Sequence, residues 1–174
     1  MKLEAISTDN IRNSVLLPFV AETINTLKTM ADLEGTSDLL TYHEPLDLFS
    51  FKGFAVSIDA TFTNGVTNNV VMNFDTQTAT MIGNRVRSVM FGTSVEDTFL
   101  TDENREALAE FLNTVVGLAT REINETSHRI SFSAPLYLYN REDSEFLLRG
   151  VKNIMTVPVD LQAAGRFYLS FLVR

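Results

Sequence analysis

Ala109-Glu110-Phe111-Leu112-Asn113-Thr114 repeats, in outline, Ala21-Glu22-Thr23-Ile24-Asn25-Thr26. Around each copy the apolar residues recur at helical spacing. Leu16, Val20, Ile24, Leu27 and Ala31 mark a helix over about residues 13–32, and Leu108, Phe111, Leu112, Val115, Leu118 and Ala119 mark another over about 103–124. The match runs further: Ala31 aligns with Ala119 and Glu34 with Glu122. With small insertions Pro45-Leu46-Asp47-Leu48-Phe49 aligns with Pro135-Leu136-Tyr137-Leu138-Tyr139, Lys52-Gly53 with Arg149-Gly150, and Gly65 with Gly165. A unit this long is not a solenoid repeat, so the duplication predicts two related halves, about 13–75 and 101–174, in one domain spanning 1–174.

Between the two helices the period falls to two. Phe54, Val56, Ile58, Ala60 and Phe62 alternate with Ala55, Ser57, Asp59 and Thr61; Asn64-Gly65 supplies a hairpin turn, and a returning strand covers about 66–74. A third helix is expected over about 76–90, capped by Asp75 or Thr76 and stopped by Gly92. Three strands close the chain, over about 129–139, 147–159 and 166–173, with Phe132, Ala134, Leu136 and Leu138 expected on one covered face. The expected fold is of the α/β class, α+β type. It is a pseudo-twofold αβββ–α–αβββ arrangement with helices packed on a largely antiparallel sheet.

At 174 residues and 45% hydrophobic composition the chain can close a sizeable core, and no apolar run approaches the roughly 18 residues of a membrane span. The start, Met1-Lys2-Leu3-Glu4, lacks the pattern of a secretory signal, so a cytoplasmic protein is expected. The absence of cysteine excludes disulfides, thiolate nucleophiles and zinc–thiolate sites. A net charge of −8 argues against nucleic acid and anionic membranes as partners. His43 and His128, the only histidines, fall in no triad or metal-ligand spacing, and no phosphate-cradling glycine loop is present.

On a wheel of roughly 100° per residue, Glu106, Glu110, Asn113, Gly117 and Asn124 share a stripe opposite the apolar seam of the second helix. Interior helical glycine costs about 1 kcal/mol relative to alanine, so Gly117 on an outward stripe suggests room kept for an approaching partner. In the first helix Glu22, Asn25 and Thr29 lie opposite the seam, with Thr29 where the second helix has glycine and Pro18 near the same stripe. Polar residues on such a face are ordinarily only solvated, and Glu-x-x-Asn alone is a weak motif.

Three stretches resemble the CheC/CheX/FliY family of chemotaxis phosphatases, CheX-like members most closely: Leu17 to Met30, Val70 to Ala79, and Glu110 to Gly117 followed by Pro135. The last resembles the family's active-site pattern, Glu-x-x-Asn with glycine four residues on and a proline opening the next strand. The resemblance implies hydrolysis of the phospho-aspartate of a CheY-like response regulator. Asn113 would orient a water, Glu110 would pair with the receiver's lysine, and Glu106, Gly117 and Pro135 would flank the partner's approach. It implies no cofactor bound by this chain, Mg²⁺ held by the receiver, and a homodimer through an exposed strand as a further state. Glu22 and Asn25 form the second candidate pair. Two departures stand out: Glu106 where the family has Asp or Ser, and an Asn113-to-Pro135 interval about one residue short. A non-catalytic binding module in chemotaxis or another two-component pathway, and a hot-dog-like enzyme with one wrapped central helix, are the competing expectations.

Overall fold

The computed structural model describes residues 8–44, 49–125, 130–162 and 165–174. The repeat match at Pro45-Leu46-Asp47-Leu48, the strand start expected at Arg129, and His128 lie outside the described residues.

The chain opens with α1 (Thr8–Ile11), a π-helical turn (Arg12–Leu16) and α2 (Leu17–Ala31). Helical structure therefore starts before residue 13, where the sequence places the beginning of the first helix. Pro18 lacks an N–H, and in a continuous α-helix its ring would crowd the carbonyl one turn back. The π turn, closed by the Leu17 N–H on the Arg12 carbonyl, carries the chain past this point. Helix α2 ends on Asp32 in the left-handed conformation (φ 50°), at the expected limit, and Gly35 opens β1 (Gly35–Thr36).

Strand β2 (Tyr42–Glu44) precedes the hairpin of β3 (Gly53–Thr61) and β4 (Thr67–Asp75), joined through Asn64-Gly65 with Gly65 at φ 80°. Helix α3 (Thr76–Phe91) starts where Asp75 accepts from the Thr78 N–H at 2.7 Å and stops at left-handed Gly92. After α4 (Asp102–Glu125) come β5 (Ser131–Phe132), β6 (Leu136–Leu138), a short helix α5 (Arg141–Leu147), and the hairpin of β7 (Asn153–Leu161) and β8 (Arg166–Val173).

All pairings are antiparallel, and the sheet order is β1-β7-β8-β4-β3-β5, with β2 beside β1 on β7 and β6 beside β5 on β3. Exchanging the halves maps this order onto itself: hairpin β3–β4 onto β7–β8, and the broken edge β1/β2 onto β5/β6. Each half lends its edge pieces to the other half's hairpin, and the two hairpins meet where β4 pairs with β8. Even-numbered residues of β3 and β4 and odd-numbered residues of β7 and β8 face α2, α3 and α4 across one continuous core that includes Phe54, Met72, Phe111 and Phe171. The three helices also pack on one another, so no single helix is wrapped by the sheet and the hot-dog expectation fails. A smaller apolar cluster on the other face joins Ala55, Val71 and Leu172 to Leu138 and to Leu147 of α5.

Two expectations about the second half are corrected. The strand expected over 129–139 is broken at Ser133-Ala134-Pro135, and the pairing with β3 slips by one residue across the break. Ala60 faces Phe132 but Val56 faces Tyr137. Proline cannot donate to the ladder, and the slip sends Phe132 and Tyr137 toward the helices while Leu138 joins the opposite cluster and Leu136 is exposed. The strand expected from Leu147 instead begins at Asn153, after α5, whose start is capped by Asn140 accepting from the Asp143 N–H at 2.9 Å.

Candidate functional site

Helix α4 starts on Thr101, whose hydroxyl accepts from the Asn104 N–H at 3.2 Å, with Asp102 and Glu103 in its first turn. Its Leu108, Phe111, Leu112, Val115 and Ala119 are fully buried, and Leu118 is half-buried at the seam's margin. Burying Phe111 and Leu112 fixes the rotation of the helix and turns the opposite stripe outward. Glu106, Glu110, Asn113, Gly117 and Asn124 are all exposed, as the wheel predicts.

Neither the Glu110 carboxylate nor the Asn113 carboxamide has a hydrogen-bond partner among the described residues. The contact at this level is made by Thr114, whose hydroxyl donates to the Glu110 carbonyl at 3.0 Å. A Cβ placed on Gly117 would meet nothing within 4 Å. By contrast, a Cβ on Gly83 of α3 would stand 2.8 Å from the Asn104 Cβ, so that glycine serves the α3–α4 contact. The glycine beside Asn113 serves no internal packing.

The first pair is arranged differently. Asn25 donates through Nδ2 to Glu22 Oε2 at 3.3 Å, Glu22 is half-buried, and Thr29 adds a side chain where α4 has Gly117. The carboxamide in α2 is therefore engaged with its own carboxylate, while that in α4 has no such partner among the described residues.

Half-buried Pro135 immediately precedes β6, in which Tyr137 lies against α4, where the phenol donates to the Ala109 carbonyl at 3.5 Å, at the long limit of a hydrogen bond. Burial first, then Tyr139, then the charge of Glu110, holds the Tyr137 pKa above the usual phenol value. The Arg105 guanidinium lies 5.5 Å from the centre of the Tyr139 ring. Sequence reasoning missed both tyrosines as neighbours of the site. The slip at Pro135, which sets their direction, leaves no periodic signal.

A groove of about 500 Å³ lies on the same side, between the end of α3 and the first turns of α4. Met90, Phe91 and Ala107 line it, and Glu103, Glu106 and Glu110 edge it. A larger cleft of about 730 Å³ between α3 and residues 95–99 is away from the stripe. Its Asn84 and Arg85 are already engaged, with the Asp97 carbonyl and Asn104, and with Ala31 and Asp32. His43 is exposed on β2 with its Nδ1 3.4 Å from the Asn153 carboxamide. Among the described residues no group of three His, Cys, Asp or Glu side chains is arranged to hold a metal ion, and no helix is long and apolar enough to cross a membrane.

No protein-family model and no curated protein matches the chain. Solved structures do. Chemotaxis protein CheX from Vibrio vulnificus superposes with a TM-score of 0.67 at 21% identity, over 89% of this chain and 95% of that one. A CheC-like superfamily protein from Shewanella sp. PV-4 gives 0.69 at 15% identity, over 91% and 96%. The fold is that of the CheX and CheC-like chemotaxis proteins. A CheX–CheY–BeF3–Mg²⁺ complex from Borrelia burgdorferi gives 0.63 at 18% identity, over 91% and 97%. Coverage of nearly the whole of each CheX chain means that the likeness extends to both halves of the sheet and to the helices upon it.

Proposed function

We propose that this chain is a CheX-like phosphatase acting in the cytoplasm on the phospho-aspartate of a CheY-like receiver domain. The observation that carries the reading is the Glu110–Asn113 pair on the open stripe of α4, whose side chains have no hydrogen-bond partner among the described residues, with space beside it at Gly117. The CheX and CheC-like fold supports it, as does the CheY partner in the Borrelia complex.

The chemistry asks little of the protein. A water oxygen attacks phosphorus and forms a new P–O bond. The P–O bond to the receiver's aspartate breaks, its electron pair stays on the leaving carboxylate, and the water's protons pass to the phosphate released. The transition state is loose, so catalysis is mainly a matter of position and charge. The Asn113 carbonyl oxygen accepts from the water and holds it in line with the leaving oxygen, and Glu110 pairs with the receiver's lysine, seating the helix in register. In this reading Mg²⁺ belongs to the receiver, where it neutralises charge on the phosphoryl oxygens, and this chain contributes no cofactor.

The test is phosphate release from CheY-like receivers of the same genome, each phosphorylated by a small-molecule donor. The protein is expected to shorten the lifetime of at least one phospho-receiver. Asn113→Ala is expected to lose about 100-fold or more of that acceleration, as for loss of one transition-state hydrogen bond, with unchanged thermal melting. Full acceleration by Asn113→Ala would refute the role given to that residue. Stable binding of a phosphorylated receiver with no change in its lifetime would instead make the chain a binding module.

A further inference from the structure

Helix α3 ends in three consecutive exposed apolar residues, Val89 (46% exposed), Met90 (56%) and Phe91 (65%). An amphipathic helix does not need such an ending, and contiguous exposed apolar surface marks a place of contact. Met90 and Phe91 line the groove described above, and its opposite wall carries Glu103, Glu106 and Glu110, none of which forms an ion pair among the described residues. Arg87, the one cation in the lining among the described residues, is turned to Asp97 at 2.5 Å and to Asn104 at 3.2 Å, so its charge is already compensated. The C-terminal end of α3 adds the negative pole of its helix dipole. The groove is apolar at its floor and negative around it.

Resting on the phosphatase reading, we propose that this groove is the specificity anchor of the receiver interface. It receives one large apolar side chain of the receiver, flanked by a lysine or arginine that meets Glu103 and Glu106. The volume of about 500 Å³ lies in the range that holds a small-molecule-sized group, so one aromatic or two aliphatic side chains fit. Charge decides among occupants. An anionic lipid surface or a nucleic acid would be repelled by the three carboxylates, and a second copy in twofold contact would set carboxylates against carboxylates. Continuity decides the partner: Glu110 belongs both to the groove and to the Glu110–Asn113 pair, so a receiver seated on that pair covers the groove as well. Recognition is thereby set about two to three turns before the hydrolytic asparagine, on side chains that do no chemistry.

The experiment measures binding, not turnover. CheY-like receivers of the same genome, saturated with beryllofluoride and Mg²⁺, are titrated into the full chain, the double variant Met90→Ser/Phe91→Ser, and Glu103→Lys. At least one receiver is expected to bind the native chain. The double variant is expected to weaken it by about tenfold or more, the scale of losing a buried hot-spot side chain. Glu103→Lys is expected to slow association and flatten its dependence on salt. Native-like affinity in the double variant, with unchanged salt dependence in Glu103→Lys, would overturn the anchor. Should the double variant lose its cooperative melt, Glu103→Lys decides alone. A receiver that binds through the groove but, when phosphorylated in the phosphate-release assay described above, keeps its phosphate lifetime upholds the anchor and refutes the phosphatase. If no receiver binds, both fall.

Discussion

Replacing Gly117 by alanine separates stability from function at a single atom. The residue sits inside α4 on its exposed side, and an added Cβ meets nothing within 4 Å. The substitution therefore carries no packing penalty and collects the helical preference of alanine over glycine, about 1 kcal/mol. For a chain of this size that corresponds to a rise in Tm of about 2–4 °C. Gly83→Ala supplies the control with the opposite sign. There the Cβ would stand 2.8 Å from the Asn104 Cβ and 3.0 Å from its carbonyl oxygen. Overpacking of about 1–3 kcal/mol then offsets or exceeds the same gain in propensity. Thermal melting by circular dichroism reads both. Phosphate release from a responsive receiver reads the other half of the claim: Gly117→Leu, which fills the space one turn beyond Asn113, is expected to slow dephosphorylation about tenfold or more while melting no lower than the native chain. A Gly117→Ala protein that melts below the native chain, or a Gly117→Leu protein with the full rate, would refute the reasoning.

Two further outcomes concern the neighbours of that stripe. Asn25→Ala is expected to leave the rate within twofold of native, because the Asn25 amide is already bound to Glu22 at 3.3 Å; a loss comparable to Asn113→Ala would make α2 a second working site. The folded state holds the Tyr137 proton more tightly than the unfolded chain does. Its contribution to stability is thus complete below the ordinary phenol pKa of 10.0 and is lost as pH rises through the higher folded value. Tyrosinate absorbance during alkaline titration should show a late component that Tyr137→Phe removes and Glu110→Gln brings to lower pH. An unchanged curve for Tyr137→Phe would refute the assignment.

What the sequence disclosed and what it withheld follow from the range over which each feature is encoded. The seam of α4 and its outward stripe are local, set by spacing along one helix, and both were legible down to Gly117. The Asn64-Gly65 hairpin and the Asp75 cap of α3 are likewise local. Helix α5 was not read, because seven residues are too few to establish a period and the apolar stretch after Leu147 dominates its surroundings. The slip at Pro135 changes which face Tyr137 occupies by a single residue, which alternation alone does not register. The groove has no linear signature at all. Met90 and Phe91 are brought to Glu103 and Glu106 by the approach of α3 to α4 at Gly83 and Asn104. The unequal standing of the two Glu-x-x-Asn pairs was legible in Thr29 standing where α4 has Gly117, but the hydrogen bond from Asn25 to Glu22, which occupies the first amide, needed coordinates.

The sheet order has a consequence for how the chain is made. Strand β4 takes its second neighbour from β8, at Asn69↔Leu172 through Asn73↔Tyr168, and α3, α4, α5 and three strands are synthesised between the two. Hairpin β3–β4 thus leaves the ribosome with β4 as an open edge, and the apolar stripe of Val70, Met72 and Phe74 remains beside unpaired backbone until β8 arrives. Helix α3, which follows β4 directly, is the first element available to shelter that stripe during the interval. The same helix that leaves Met90 and Phe91 exposed at its end would then serve first as a cover for the nascent sheet.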